Sequence, residues 1–125
     1  MSTPRFVIQE HFARTHHYDF RLEKDSVFKS WVLRKPLTGS PRIRRLAIQV
    51  EDHDLSFGDF EGEIPRGQYG AGKVRIWDRG EYLVDRWDAD KITFQLIGDK
   101  VAGRYSLIRF KRAGTKSWLL VKHKD

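Results

Sequence analysis

Along most of the chain apolar and polar residues alternate with a period of two, and helical spacing is weak throughout. The alternation predicts strands over 5–9, 17–23, 28–35, 44–52, 73–78, 82–87, 92–97, 104–110 and 117–123. Turn residues separate them: Lys24-Asp25-Ser26, Asp78-Arg79-Gly80, Gly98-Asp99 and Ala113-Gly114-Thr115. The segment 36–41 reads as a loop. The stretch 54–72 is the longest without alternation, with room for a short helix or an ordered functional loop. Many short strands at close spacing predict an all-β, mainly antiparallel barrel or sandwich with at most one or two short helices. No repeat, low-complexity tract or linker interrupts the pattern, so residues 1–125 read as a single domain. Trp31, Trp77, Trp87 and Trp118 fall inside predicted strands and read as core.

Composition narrows the partner. Lys and Arg number 24 against 17 Asp and Glu, a net charge of +7. A compact basic domain points to a polyanion, most commonly nucleic acid. Aromatic residues make up 13% of the chain, far above a disordered tail. The absence of cysteine excludes disulfides, thiolate metal sites and a thiol nucleophile. No apolar run approaches the roughly 18 residues of a membrane span, and the N-terminus has no apolar signal-like stretch. The expectation is a cytoplasmic protein with no membrane association.

One predicted strand carries chemistry. In His17-Tyr18-Asp19-Phe20-Arg21-Leu22-Glu23, one face takes Tyr18, Phe20 and Leu22 and the other takes His17, Asp19, Arg21 and Glu23. Same-face neighbours stand roughly 6.6 Å apart, so His17 and Asp19 are able to converge on one cation, with Arg21 beside it for an anion. His11 lies six residues upstream past an Ala-Arg-Thr turn, within reach of the same spot. Two imidazoles and one carboxylate leave coordination positions open and suit Mn²⁺, Fe²⁺ or Zn²⁺. The plainer alternative is a solvated strand face laced with ion pairs.

His53, in Val50-Glu51-Asp52-His53-Asp54, reads either as an acid–base or phosphate-binding residue or as a capped surface histidine. Arg34, Lys35, Arg42, Arg44 and Arg45 offer cations for a phosphate, or simply an exposed basic loop. The glycines at 67, 70 and 72 match neither a dinucleotide fingerprint nor a P-loop, and predict a tight turn feeding a hairpin. His16 and His123 receive no role.

Several ordered motifs carry a family resemblance over nearly the whole chain. They are Phe-Val-Ile-Gln-Glu-His at 6–11, His-Tyr-Asp-Phe-Arg-Leu-Glu at 17–23, Lys-Ser-Trp at 29–31 and Val-Glu-Asp-His at 50–53. Asp-Phe-Glu-Gly-Glu-Ile-Pro at 59–65, Tyr-Gly-Ala-Gly at 69–72 and Trp-Leu-Leu-Val-Lys-His at 118–123 complete the set. The chain resembles the 3′-phosphoesterase domain of bacterial DNA ligase D, in its free-standing form. The resemblance implies a crescent-shaped antiparallel β-barrel and Mn²⁺-dependent healing of 3′ ends in break repair by non-homologous end joining. A terminal ribonucleoside is removed as by a phosphodiesterase, and the remaining 3′-phosphate as by a phosphomonoesterase.

The resemblance also implies that His11, His17 and Asp19 hold the metal, Mn²⁺ with Co²⁺ or Zn²⁺ as substitutes. Arg21 and His53 fall on phosphate-binding positions, Arg45 and Lys35 on further functional ones, and Gln9 and Glu51 on supporting ones. The implied partner is duplex DNA or DNA/RNA with a 3′ ribonucleotide or 3′-phosphate end, met by a monomer, with a ligase or polymerase in trans. Many members carry Tyr where this chain has Phe57, so a hydroxyl is lost. Two other classes compete: a non-catalytic nucleic-acid-binding β-barrel, and a metal-dependent oxygenase using the same two-histidine, one-carboxylate set.

Overall fold

A computed structural model describes residues 3–124. The chain forms nine strands: β1 (Arg5–Phe12), β2 (His16–Lys24), β3 (Val27–Leu33), β4 (Arg44–His53), β5 (Gly62–Ile64), β6 (Gly72–Trp87), β7 (Lys91–Gly98), β8 (Ala102–Arg109) and β9 (Ser117–Lys122). Two short 3-10 turns, Leu55–Asp59 and Lys111–Ala113, are its helical elements among the described residues. The strands lie in the order β1-β2-β3-β4-β9-β8-β7-β6-β5, all antiparallel pairs, and β1 also pairs with β6. That last pairing closes an eight-stranded barrel, with β5 attached outside the ring to β6. The expected mainly antiparallel all-β barrel is therefore what the chain builds. No helix among the described residues is long and apolar enough to cross a membrane.

Alternation explains the interior. Phe6 and Ile8 of β1 stand opposite Leu22 and Phe20 of β2, and Phe20 stands opposite Trp31 of β3. These side chains join Leu33, Ala47, Phe94, Leu96, Tyr105, Leu107, Trp118 and Leu120 in one core cluster, with Trp77 and Trp87 packed at its margin. Burying each such large side chain contributes about 1.5–3 kcal/mol. The opposite register of β1, β2 and β3 faces outward and carries Gln9, His11, His17, Asp19, Arg21 and Ser30.

Three boundaries depart from the alternation pattern. Residues 73–78 and 82–87 are one strand, β6, and Asp78-Arg79-Gly80 is not a turn. The Asp78 carboxylate accepts hydrogen bonds from the backbone N–H of Asp99, Lys100 and Val101, and so caps the β7–β8 turn instead of making one of its own. Gly80 lies directly against the Ile97 carbonyl, where a Cβ has no room. Second, β1 runs on to Phe12 instead of ending at Gln9. Its last residues pair on both sides, and buried Glu10 is ion-paired with Arg75 (2.6 Å) and hydrogen-bonded to His16 (2.8 Å). Third, β3 ends at Leu33, leaving Arg34 and Lys35 in the following loop. The glycine-rich segment, expected as a tight turn feeding a hairpin, instead lies in the connection between β6 and β5, a short strand that the alternation did not predict.

Candidate metal and phosphate site

The site grows from two hairpins. The short turn after Phe12 sets His11 directly opposite His17 and Gln9 opposite Asp19. The two-residue turn Asp25-Ser26 has φ of 54° and 65°, the left-handed pair of a type I′ hairpin turn. It sets Arg21 opposite Ser30. The outward face of three neighbouring strands thus presents His11, His17, Asp19, Arg21 and Ser30 side by side.

His11 Nδ1 lies 3.5 Å from one Asp19 carboxylate oxygen, and His17 Nε2 lies 3.3 Å from the other. One donor atom from each of the three residues falls within 4.8 Å of the others. The far nitrogen of each ring is tied to backbone. His11 Nε2–H donates to the Gly70 carbonyl at 2.7 Å, and His17 Nδ1–H donates to the Thr15 carbonyl at 2.9 Å. These bonds fix the tautomers, so in the neutral rings both inward nitrogens are bare lone pairs facing a carboxylate. A proton on an imidazole or a cation between the three groups satisfies this arrangement, and the donor set fits a divalent transition metal.

The charges respond to that crowding. The His17 hydrogen bond to Asp19 raises the histidine's pKa against the opposing effect of burial. Burial pushes the Asp19 pKa up, but His11, His17 and the Arg21 charge together outweigh it and hold the carboxyl well below its ordinary range. Arg21 is only 2% exposed. Its Nε donates to Gln9 Oε1 (2.7 Å), its Nη1 to Ser30 Oγ (2.8 Å), and Nη2 lies 3.7 Å from Asp19. The guanidinium sits 4.9 Å over the Phe57 ring, a cation–π contact.

His53 enters from the end of β4, opposite Phe28. Its Nδ1 lies 3.1 Å from Arg21 Nη1 and 3.0 Å from the Glu51 carbonyl. One nitrogen cannot serve both: the Nε2–H tautomer accepts from Arg21, and the Nδ1–H tautomer donates to Glu51. Burial, then the Arg21 charge, lowers the His53 pKa. Gln9, fully buried, braces the site from below. Its amide donates to the carbonyls of Phe57 (2.8 Å) and Phe60 (3.1 Å), which fastens the Leu55–Asp59 turn over the sheet.

Of the candidate residues, the fold brings together His11, His17, Asp19, Arg21, His53 and Gln9. Glu51 joins through its backbone carbonyl. Arg45 and Lys35 are not brought to the cluster. Arg45 occupies the inward register with Ala47, opposite Leu120, and its Nε donates to the Pro36 carbonyl at 2.8 Å. Lys35 is exposed in the loop after β3. A cleft of about 690 Å³ beside Arg5, Glu23, Phe28, Asp59 and Arg79 contains none of the candidates.

Sequence reasoning missed Ser30 and Gly70. Ser30 was recoverable, because the two-residue turn fixes it opposite Arg21. Gly70 contributes a carbonyl, which carries no side-chain signal.

Comparison with known proteins assigns the architecture. The family profile of the DNA ligase D 3′-phosphoesterase domain matches residues 9–109. The multifunctional non-homologous end joining protein LigD of Pseudomonas aeruginosa is 46% identical over 127 residues, covering 97% of this chain and 15% of that protein. The LigD protein of Mycobacterium bovis is 51% identical over 108 residues, covering 83% of this chain and 14% of that protein. That of Mycolicibacterium smegmatis is 42% identical over 132 residues, covering 97% of this chain and 17% of that protein. The chain therefore spans only a small part of the length of these curated relatives. With a match of this extent, the chain belongs to the DNA ligase D 3′-phosphoesterase domain family.

Proposed function

We propose that this protein is a metal-dependent phosphoesterase that heals 3′ ends of nucleic acid during end joining. It removes a 3′-terminal ribonucleoside and then hydrolyses the 3′-phosphate left behind. The observation that carries the reading is the convergence of His11 Nδ1, His17 Nε2 and the Asp19 carboxylate beside a buried Arg21 and His53. The relatives' names place them in non-homologous end joining, and the net charge of +7 suits a polyanionic substrate. Mn²⁺ is the proposed metal, with Co²⁺ or Zn²⁺ as substitutes, and a duplex end the proposed partner.

His11, His17 and Asp19 hold the metal in this reading. When bound, it supplies Lewis-acid stabilisation of the negative charge that gathers on the phosphate oxygens. Arg21 has two of its five N–H groups engaged by Gln9 and Ser30, a third that bonds His53 while that ring is neutral, and a fourth directed toward Asp19. Its role is to hold positive charge under the phosphate and to orient His53, with little donor capacity left for a second clamp.

When protonated, His53 donates Nδ1–H to the Glu51 carbonyl and presents Nε2–H outward as the proton donor. In the first step water attacks phosphorus and the P–O5′ bond of the terminal ribonucleoside breaks. The leaving oxygen takes its proton from His53 Nε2 and departs as a 5′-hydroxyl, leaving a 3′-phosphate. The proton released by the attacking water recharges His53. In the second step water attacks again, the P–O3′ bond breaks, the 3′ oxygen takes its proton from His53 Nε2, and the second water's proton leaves with the inorganic phosphate. The negative charge of a bound phosphate offsets the Arg21 charge that otherwise depresses the His53 pKa, favouring the protonated ring when it is needed.

A labelled primer–template duplex ending in one 3′ ribonucleotide tests the reading. Shortening to a 3′-phosphate and then a 3′-hydroxyl is expected with Mn²⁺, and neither product with EDTA or with His17→Ala. Cleavage that stops at the 3′-phosphate would leave a phosphodiesterase alone, with Phe57 the first suspect. A mobility shift with no cleavage in any divalent metal would overturn the reading in favour of a binding barrel.

A further inference from the structure

Tyr69 is fully exposed, an uncommon position for a tyrosine. Its loop is hydrogen-bonded into turns. The Gln68 N–H donates to the Pro65 carbonyl (3.2 Å) and the Ala71 N–H to the Gln68 carbonyl (3.1 Å), giving two turns in tandem. Gly67 (φ +92°) and Gly70 (φ +76°) hold the third position of each, the position that needs a left-handed residue in a type II turn. Tyr69 is therefore the corner residue of the second turn, with its ring directed out of the loop.

The loop is also fastened to the metal cluster. The Gly70 carbonyl accepts the His11 Nε2–H at 2.7 Å, and a Cβ on Gly70 would stand 3.5 Å from the His11 ring. From bond lengths, the Tyr69 Cα lies within about 9 Å of His11 Nε2. A Cβ on Gly72 would stand 3.0 Å from the Ala13 Cα, so the hairpin packs beside the β1–β2 turn. Exposed Arg66 and Arg14 flank it on these two turns.

We infer that Tyr69 is a stacking platform for a nucleobase adjoining the phosphate processed at His11, His17 and Asp19. The inference rests on the phosphoesterase reading above and adds to it a substrate-binding residue. An aromatic ring recognises any base through its π-face, which suits an activity that meets ends of every sequence. The preformed loop means that little further ordering is required on binding.

The test uses three duplexes: one ending in a normal ribonucleotide, one with an abasic ribose at the terminal position, and one abasic at the penultimate position. On the normal end Tyr69→Ala is expected to raise KM about 5- to 100-fold with kcat nearly unchanged, while Tyr69→Phe stays within about 3-fold of the parent. Removing the stacked base raises the parent's KM equally and erases the difference between parent and Tyr69→Ala. The abasic position at which this happens identifies the leaving or the retained nucleoside as the one stacked.

An unchanged KM in Tyr69→Ala, a defect that persists on both abasic duplexes, or equal damage in Tyr69→Phe would overturn the inference. Terminal or penultimate 2-aminopurine gives a readout independent of turnover, taken in EDTA at protein concentrations where a mobility shift shows complex. Quenching by the parent and Tyr69→Phe, but not by Tyr69→Ala, supports stacking even if nothing is cleaved. The same fluorescence in all three complexes overturns it even if cleavage proceeds. Absence of cleavage by the parent sinks the phosphoesterase reading alone.

Discussion

Arg21 shows how one side chain ties stability to chemistry. It is buried against a carboxylate, an amide, a hydroxyl and an aromatic face, so its charge is compensated on every side. Burial alone lowers its pKa, and Asp19 opposes that effect. Lysine cannot replace this planar set of donors. Arg21→Lys is expected to lose about 2–4 kcal/mol in urea unfolding and most of the phosphoesterase activity. Ser30→Ala removes one acceptor from the guanidinium and is expected to lose about 1–2 kcal/mol, with activity reduced rather than abolished. For the proposed metal residues the expectation differs: His11→Ala, His17→Ala and Asp19→Ala are each expected to abolish both proposed cleavage steps, because each removes a donor from a set of three. Full activity in any of them would contradict the assignment.

At the scale of elements, β6 and the Leu55–Asp59 turn hold the site in place. Asp78→Ala leaves the backbone N–H groups of Asp99, Lys100 and Val101 without their acceptor. A loss of about 2–4 kcal/mol by chemical denaturation is expected. Gly58 lies so close to the Phe28 ring that a Cβ would overlap it. Gly58→Ala is therefore expected to lift the turn, displace Phe57 from Arg21, and lower activity more than global stability.

These elements also mark how far the sequence was legible. The strands of the core followed from period-two alternation, and the site face of β2 followed from the same rule. The meeting of His11 with His17 required only a short turn between two strands. What stayed hidden depends on contacts distant in sequence. Asp78-Arg79-Gly80 has the local chemistry of a turn, and only the far β7–β8 backbone and the Ile97 carbonyl make it strand. Arg45, by contrast, was legible: it sits two positions before inward-facing Ala47, so alternation alone puts it on the opposite face of the sheet from the cluster. Gly70 acts through its carbonyl, which its residue type does not announce.

For the molecule as a whole, closure through the β1–β6 pairing lets one strand, β1, carry core, the candidate metal residue His11 and barrel seam together. Glu10 sits at that seam, 5% exposed. Burial pushes its pKa up, but Arg75, His16 and Tyr18 outweigh this and the net shift is downward. A carboxylate with a depressed folded pKa stabilises the fold above its unfolded value, and that contribution is lost as the pH falls through the folded pKa. Glu10→Gln is therefore expected to be less stable than the parent at neutral pH. The gap should close as the pH drops below 4.5, measured by urea unfolding across the acid range. A gap that widens on acidification would contradict the ion-pair account.

The whole-molecule charge makes a separate demand. Affinity for a duplex end should fall linearly in log Kd against log salt, by about 0.9 per phosphate neutralised. The claim on which everything else depends is that His11, His17 and Asp19 hold one divalent ion. Electron paramagnetic resonance of free Mn²⁺, titrated with protein, measures it directly. The account predicts one ion bound per chain in the parent, and loss of that binding in His11→Ala, His17→Ala and Asp19→Ala variants whose circular dichroism matches the parent. Equal Mn²⁺ binding by the parent and all three variants would contradict it.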